Sequence, residues 1–69
     1  MKISARNQLK GRVVSVTHGA VNSEVVLALP GGAELVSVIT KSSAEALGLA
    51  EGVEAVALVK ASSVLMARE

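Results

Sequence analysis

The residues best suited to chemistry lie near the start of the chain, in the segment Ser4-Ala5-Arg6-Asn7-Gln8-Leu9-Lys10-Gly11. A hydroxyl, a guanidinium and an amide occur here within four positions, and the segment contains no carboxylate. Such a cluster of donors without a competing acid suits an oxyanion. The alternative is a solvated lead-in to a strand, because short motifs of this kind also arise by chance.

Two later stretches carry further donors. Thr40-Lys41-Ser42-Ser43 begins a segment of helix formers, and Lys60-Ala61 follows an apolar run. Hydroxyls in the first turn of a helix lie beside unpaired N–H groups and the positive end of the helix dipole, and both features favour anions. The same hydroxyls are equally explained as helix caps, and Lys60 as a strand-edge lysine that extends into solvent.

The composition excludes several classes of function. The chain has 69 residues and no cysteine, so disulfides and thiolate metal sites are absent. One histidine, His18, and six scattered glutamates predict neither a metal cage nor a nucleophile–base pair, and we therefore expect no enzyme. The net charge of +1, without a basic run, argues against binding duplex DNA.

The location and assembly are also constrained. No apolar stretch approaches the roughly 20 residues that span a bilayer, and the N-terminus lacks the apolar core of a signal peptide, which predicts a cytoplasmic protein without a membrane partner. The mean hydropathy is +0.55, and the run Val53–Val59 is apolar at nearly every position. A single small sheet cannot bury both faces, so we predict a homo-oligomer.

The pattern predicts five strands and one short helix. The alternation of apolar residues and the turn residues between them give these elements in chain order: strands Leu9–Thr17, Asn22–Leu29 and Glu34–Ile39, a helix within Thr40–Gly48, and strands Val53–Val59 and Ala61–Met66. Gly11 indicates a bulge or a close backbone approach. The order β-β-β-α-β-β, all-β with one short helix, is typical of a five-stranded OB-like barrel.

The ends of the predicted helix carry their own signals. Ser42-x-x-Glu45 fits a capping box, with Thr40 as the alternative N-cap. Gly48 suits the position just after the last helical residue, where a positive φ is common.

Taken together, these residues resemble the molbindins, the small molybdate-binding Mop proteins. The resemblance covers residues 3 to about 66 and is carried by four groups: Ser4-Ala5-Arg6-Asn7-Gln8-Leu9-x-Gly11, Ile39-Thr40-x-x-Ser43, Leu47-Gly48-Leu49-x-x-Gly52 and Leu58-Val59-Lys60-Ala61-Ser62. It implies a single Mop domain over residues 1–69 with the MOP-like variant of the OB barrel. It also implies a binder of molybdate or tungstate without an organic cofactor, serving intracellular molybdenum storage. The free-standing, single-domain form is similar to proteins that assemble as hexamers. The resemblance therefore implies a trimer of dimers with oxyanions held between subunits.

The resemblance also implies two sets of site residues. The first oxyanion site would use Ser4, the backbone around Ala5, Arg6, Thr40, Ser43, Lys60 and the amide of Ala61. The second, near a three-fold axis, would fall on the turn that holds Gly19, Ala20, Val21 and Asn22.

Two other functions remain open from the sequence. An OB domain that binds single-stranded nucleic acid needs aromatic platforms and a basic groove, and this chain has no aromatic residue. A purely structural oligomer would use the hydroxyls only as caps.

Overall fold

A computed structural model describes all residues, 1–69. Its elements in chain order are β1 (Asn7–His18), β2 (Asn22–Ala28), β3 (Glu34–Thr40), α1 (Lys41–Ala46), β4 (Glu54–Val59) and a 3₁₀ turn (Ala61–Ser63). The prediction of an all-β chain with one short helix is confirmed. The first strand is longer than predicted at both ends, because it begins at Asn7 and ends at His18. No helix is long and apolar enough to cross a membrane, because α1 has only six residues.

The four strands form one antiparallel sheet in the order β3-β2-β1-β4. The long strand β1 organises this sheet, because its two halves pair with different neighbours. Its first half pairs with β4, from Asn7 opposite Val59 to Arg12 opposite Glu54. Its second half pairs with β2, ending at His18 opposite Ser23. The strands β3 and β4 are therefore the two edges of the sheet.

Two features of β1 lie where its pairing changes from β4 to β2. A Cβ on Gly11 would collide with the backbone oxygen of Ala28 and approach Leu27 Cγ to 2.8 Å, so only glycine fits there. The predicted close backbone approach is thus confirmed at Gly11. The register with β2 shifts between Val13 and Ser15, so the irregularity that introduces an extra residue lies just beyond the glycine.

The core is small and lies on one face of the sheet. Val13, Val25 and Leu27 form its buried centre, and Ile39 and Leu49 pack against it. The fourth strand, which is apolar at nearly every position, is not buried on both faces by this chain alone. Burial alternates along β4, and Val56 and Leu58 are 38% and 40% exposed. One face of the strand therefore lacks a covering layer within this chain.

The helix follows β3 without an intervening loop. Thr40, the last residue of β3, has extended backbone angles and accepts a hydrogen bond at Oγ1 from the Ser43 N–H at 3.1 Å, so Thr40 is the N-cap. The predicted capping box on Ser42 is therefore wrong, because β3 ends one residue before the helix begins. Gly48 has the expected positive φ of 64°, and the N–H of Leu49 donates to the carbonyl of Ala44 at 3.1 Å, which closes the helix.

The predicted fifth strand, Ala61–Met66, is absent, and the five-stranded barrel is a curled four-stranded sheet in this chain. Ala61–Ser63 form a 3₁₀ turn, closed by hydrogen bonds from the Ser63 N–H to the Lys60 carbonyl (2.9 Å) and from the Val64 N–H to the Ala61 carbonyl (3.2 Å). A strand needs a neighbour for its backbone groups. The segment has no such neighbour within this chain, so its backbone turns locally instead.

Candidate functional site

The pairing of β1 with β4 brings two distant parts of the chain together. Because Asn7 is opposite Val59, the residues before β1 lie beside those after β4. The Asn7 Nδ2 donates to the Val59 carbonyl at 3.2 Å and strengthens this junction. An open cavity of about 530 Å³ lies here, lined by Ile3, Ser4, Ala5, Arg6, Leu58, Lys60, Ala61 and Ser62. Five of the predicted first-site residues therefore share one cavity, and we call Ser4, Ala5, Arg6, Lys60 and Ala61 the Arg6–Lys60 cluster.

The Arg6–Lys60 cluster is cationic and has no internal counter-charge. No glutamate lines the cavity. The only ion pair in the chain joins Arg12 Nη2 to Glu54 Oε1 at 3.4 Å, at the middle of β1, and both of these side chains are largely exposed. Arg6 and Lys60 therefore remain available to an anion. The Gln8 Nε2 also donates to the Ala5 carbonyl at 3.0 Å and orders the backbone that carries Arg6.

Thr40 and Ser43 are not part of this cavity. The Thr40 Oγ1 lies 2.7 Å from the Ser43 Oγ, to which it donates, and it accepts from the Ser43 N–H. It also lies 3.3 Å from the Ser42 Oγ. All three residues are well exposed apart from these contacts. The hydroxyl of Thr40 thus serves as a cap, as the capping alternative predicted, while the Ser43 hydroxyl accepts one bond and keeps its own proton.

The predicted second-site turn lies beside Thr40. Asn22 is the register partner of Thr40 on β2, and the Lys41 N–H donates to the Val21 carbonyl at 2.8 Å. A hydrogen bond of 2.8 Å from the Gly19 N–H to the Asn22 carbonyl closes the turn. We call Gly19, Ala20, Val21, Asn22, Thr40 and Ser43 the Thr40 cluster. The predicted site residues therefore separate into two groups, one next to the start of β1 and the other next to its end.

His18 and Ser23 form a contact that the sequence reasoning missed. These residues are opposite each other where the Gly19–Asn22 turn joins β1 and β2, and the His18 Nδ1 lies 2.6 Å from the Ser23 Oγ. Ser23 is 1% exposed and is the only buried polar residue in the chain. A histidine and a serine at equal distances from a short turn were the available signal. The pair holds the base of the turn that belongs to the Thr40 cluster.

No three side chains among histidine and the acids come together as a cation site. The cationic side chains of the Arg6–Lys60 cluster are donors that suit an anion.

Comparison with known proteins identifies the family of the chain. Residues 3–66 match the TOBE domain. The chain is 50% identical over 66 residues to molybdenum-pterin-binding protein 2 of Clostridium pasteurianum, an alignment that covers 96% of this chain and 97% of that protein. The chain belongs to the molbindin (Mop) family.

Solved structures of similar proteins share the fold. MopII from Clostridium pasteurianum superimposes with a TM-score of 0.92 at 48% identity, covering 97% of this molbindin and 100% of that chain. The cytoplasmic molybdate-binding protein ModG, with molybdate bound, superimposes with a TM-score of 0.85 at 56% identity, covering 88% of this chain and 43% of that one. The chain spans nearly the whole length of some curated relatives and about a quarter of the length of others.

Proposed function

We propose that this molbindin is a binding protein, without catalysis or organic cofactor, that holds molybdate or tungstate in a cytoplasmic homo-oligomer and so stores molybdenum. The observation that carries the proposal is the Arg6–Lys60 cluster, an open cavity with two unpaired cations and no carboxylate. The names of its relatives, which refer to molybdenum-pterin and molybdate binding, support the same ligand.

The charges of the cluster match those of the ligand. Molybdate is a tetrahedral dianion, and burying it without compensation would cost many kcal/mol. Arg6 and Lys60 supply two positive charges, the first as a planar fork for two oxygens and the second as a compact point charge. Ser4 and Ser62 add hydroxyl donors to the same cavity. The cluster therefore neutralises the ligand and forms hydrogen bonds with one side of it.

We infer that the other side of the ligand is covered by a second copy of the chain. Thr40 and Ser43 belong to the expected first site but lie outside the cavity of their own chain. Because the Ser43 hydroxyl accepts from Thr40, its proton points away from that bond and can be donated to an oxyanion. In this arrangement Ser43 is the direct donor and Thr40 orients it. The proposed hexamer would contain such sites between its subunits. The Gly19–Asn22 turn would form the second oxyanion site, near the three-fold axis.

A site made only of donors discriminates between oxyanions. Phosphate often carries a proton near neutral pH, and that proton would face another donor without an acceptor. Sulfate is a dianion but is smaller, so fewer donors reach it at a good distance. Tungstate matches molybdate in charge and size and should bind equally well.

The test is a ligand panel on the intact oligomer. Thermal unfolding is followed by calorimetry, because the chain has no Trp or Tyr, with molybdate, tungstate, sulfate and phosphate in parallel. A ligand at 100 times its Kd adds about 2.7 kcal/mol per site to the free energy of unfolding. We expect a large rise in Tm with molybdate and tungstate and little with the other two. An equal rise with phosphate would refute the donor-only site.

A free pterin belongs in the same panel, because the names of relatives include one. The cavity is polar and cationic, and the chain has no aromatic residue on which a pterin ring could stack. We expect no shift from the pterin alone. If no anion and no pterin raises the Tm, the chain is a structural oligomer whose hydroxyls are only caps. The N-cap observed at Thr40 would then be the whole role of that hydroxyl.

A further inference from the structure

The segment that carries Ser4 and Arg6 is tied to β1 by the hydrogen bond of a single side chain. Residues 1–6 precede β1 and take part in no backbone–backbone hydrogen bond. The hydrogen bond that does reach them runs from the Gln8 Nε2 to the Ala5 carbonyl, at 3.0 Å. Because Ala5 lies between Ser4 and Arg6, this bond fixes the backbone from which both of their side chains extend.

The Lys60 side of the same cavity is held by more bonds. Lys60 directly follows β4, whose last residue pairs with β1 and also accepts a hydrogen bond from the Asn7 Nδ2 at 3.2 Å. The carbonyl of Lys60 itself accepts from the Ser63 N–H at 2.9 Å. The loss of one bond therefore leaves Lys60 in place, whereas the segment with Arg6 depends on Gln8.

Gln8 lies outside the cavity whose geometry it controls. It is exposed and pairs with Leu58 on β4, and of these two residues only Leu58 lines the cavity. We propose that Gln8 is a positioning residue of the oxyanion site, which holds Arg6 at a fixed distance from Lys60 and so sets the size of the anion that both cations reach. In naming molybdate as that anion, this inference rests on the proposed function.

The distance between the two cations decides selectivity because molybdate and sulfate carry the same charge and differ in size. A cation on a loose segment moves toward the smaller anion and binds it nearly as well as the larger one. A cation on a fixed segment stays at the distance that fits the larger anion, so sulfate makes poorer contacts. Fixing the segment before binding also removes an ordering cost, equivalent to roughly two- to tenfold in affinity for one flexible side chain.

The same bond contributes little to the stability of the fold. It is exposed, so its loss leaves no buried donor or acceptor without a partner. A variant that lacks this donor should therefore unfold at nearly the temperature of wild type and differ from it in binding. A purely structural role of Gln8 predicts the reverse.

The test is titration calorimetry on the intact oligomer, with molybdate titrated directly and sulfate measured as its competitor. Gln8→Met has nearly the length of glutamine but no donor, and Gln8→Lys keeps an N–H donor for the same carbonyl. Lys10→Met is the matched control, because Lys10 is exposed on the same face of β1 and lies outside the cavity. A change in general charge acts on both dianions alike and cancels in the ratio of their affinities.

We expect Gln8→Met to lower the molybdate affinity roughly two- to tenfold. Its sulfate affinity should stay near that of wild type, because a loosened site fits the smaller anion better and this offsets the ordering cost. Gln8→Lys should restore the molybdate-to-sulfate ratio, and Lys10→Met should leave it unchanged. An unchanged ratio in Gln8→Met, an equal loss in Lys10→Met, or no recovery in Gln8→Lys would overturn the proposal.

The backbone amide of Arg6 gives a second readout that needs no ligand. Its NMR order parameter should fall below about 0.6, the range of flexible backbone, in ligand-free Gln8→Met and recover in Gln8→Lys. An Arg6 backbone that is as ordered in Gln8→Met as in wild type overturns the positioning role, whether or not the wild type binds molybdate. If wild type binds no anion but Gln8→Met releases Arg6, only the proposed function is refuted.

Discussion

The Arg6–Lys60 cluster and the Thr40 cluster differ in how far each satisfies its own polar groups. In the first, the two cations have no carboxylate partner and face an open cavity. In the second, hydroxyls and backbone groups bond to one another, through the Thr40 cap and the hydrogen bond from Lys41 to Val21. The cations of the first cluster therefore need a ligand as their partner. In the second cluster these polar groups bond to one another, and the hydroxyl proton of Ser43 stays free.

This difference separates two kinds of mutational effect. Removing a charge from the Arg6–Lys60 cluster should change ligand affinity and leave the folded chain intact. Removing a group from the Thr40 cluster, other than the spare hydroxyl of Ser43, should change stability first. The predictions below test that division, beginning with the largest expected effect.

Arg6→Ala should weaken molybdate binding by about 100-fold, because a hydrogen bond to a charged group contributes about 1.5–3 kcal/mol and each 1.4 kcal/mol is a factor of ten. Lys60→Ala should have a similar effect. Titration calorimetry measures both Kd values, and the Tm without ligand should stay within a few degrees of wild type. Lys10→Ala is the matched control, since Lys10 is an exposed lysine outside the cavity. A loss of affinity in Lys10→Ala equal to that in Lys60→Ala would mean that general charge, and not this cavity, attracts the anion.

If the proposed homo-oligomer covers the exposed apolar C-terminal segment, residues 64–66, Leu65→Ser should raise the dissociation constant of the oligomer at least tenfold, because burying a leucine contributes about 1.5–3 kcal/mol. The single chain predicts no such effect, since Leu65 is 91% exposed within it. Analytical ultracentrifugation over a dilution series measures the dissociation constant. Arg68→Ser changes an exposed residue just beyond the segment and serves as the control. Unchanged assembly in Leu65→Ser would remove the C-terminal segment from the interface.

The sequence predicted the elements well wherever local chemistry decides them. Pro30-Gly31-Gly32 marks the loop between β2 and β3, and Gly48 ends the helix, because proline and glycine constrain the backbone at their own positions. A glycine within a strand, Gly11, likewise indicated the close backbone approach that the structure shows. The sequence left the N-cap open between Ser42 and Thr40, because strand and helix meet directly at Thr40 and two local capping patterns overlap there.

The fifth strand and the grouping of the site residues were harder to predict, because both depend on distant pairing. Residues 61–66 have the pattern of a strand, but a strand forms only where a neighbour accepts its backbone bonds. Similarly, Arg6 and Lys60 line the same cavity only because Asn7 pairs with Val59, 52 positions away. The sequence indicated which side chains could bind an oxyanion. It did not indicate that Thr40 and Ser43 would lie in a different cluster from Arg6.

His18→Ala should lower the free energy of unfolding by about 1–2 kcal/mol, because it leaves the buried hydroxyl of Ser23 without its partner. Ser23→Ala in the same background should cost little more, since the unsatisfied group is then gone. Chemical denaturation of the two single variants and the double variant gives the coupling energy. Additive effects would show that the 2.6 Å contact does not hold the turn of the Thr40 cluster.

Thr40→Ala and Ser43→Ala should separate capping from binding inside the Thr40 cluster. Thr40→Ala loses the N-cap, at a cost of about 1 kcal/mol in the free energy of unfolding, and Thr40→Ser should restore most of it. Ser43→Ala keeps the backbone N–H that the cap bonds, so its stability should change by less than about 0.5 kcal/mol. Its molybdate Kd should nevertheless rise several-fold, because the spare hydroxyl proton is lost. Ser42→Ala, next to Ser43, is the control for both measurements. If Ser43→Ala binds molybdate as wild type does, the Thr40 cluster is only structure, and the anion is held by the Arg6–Lys60 cluster alone.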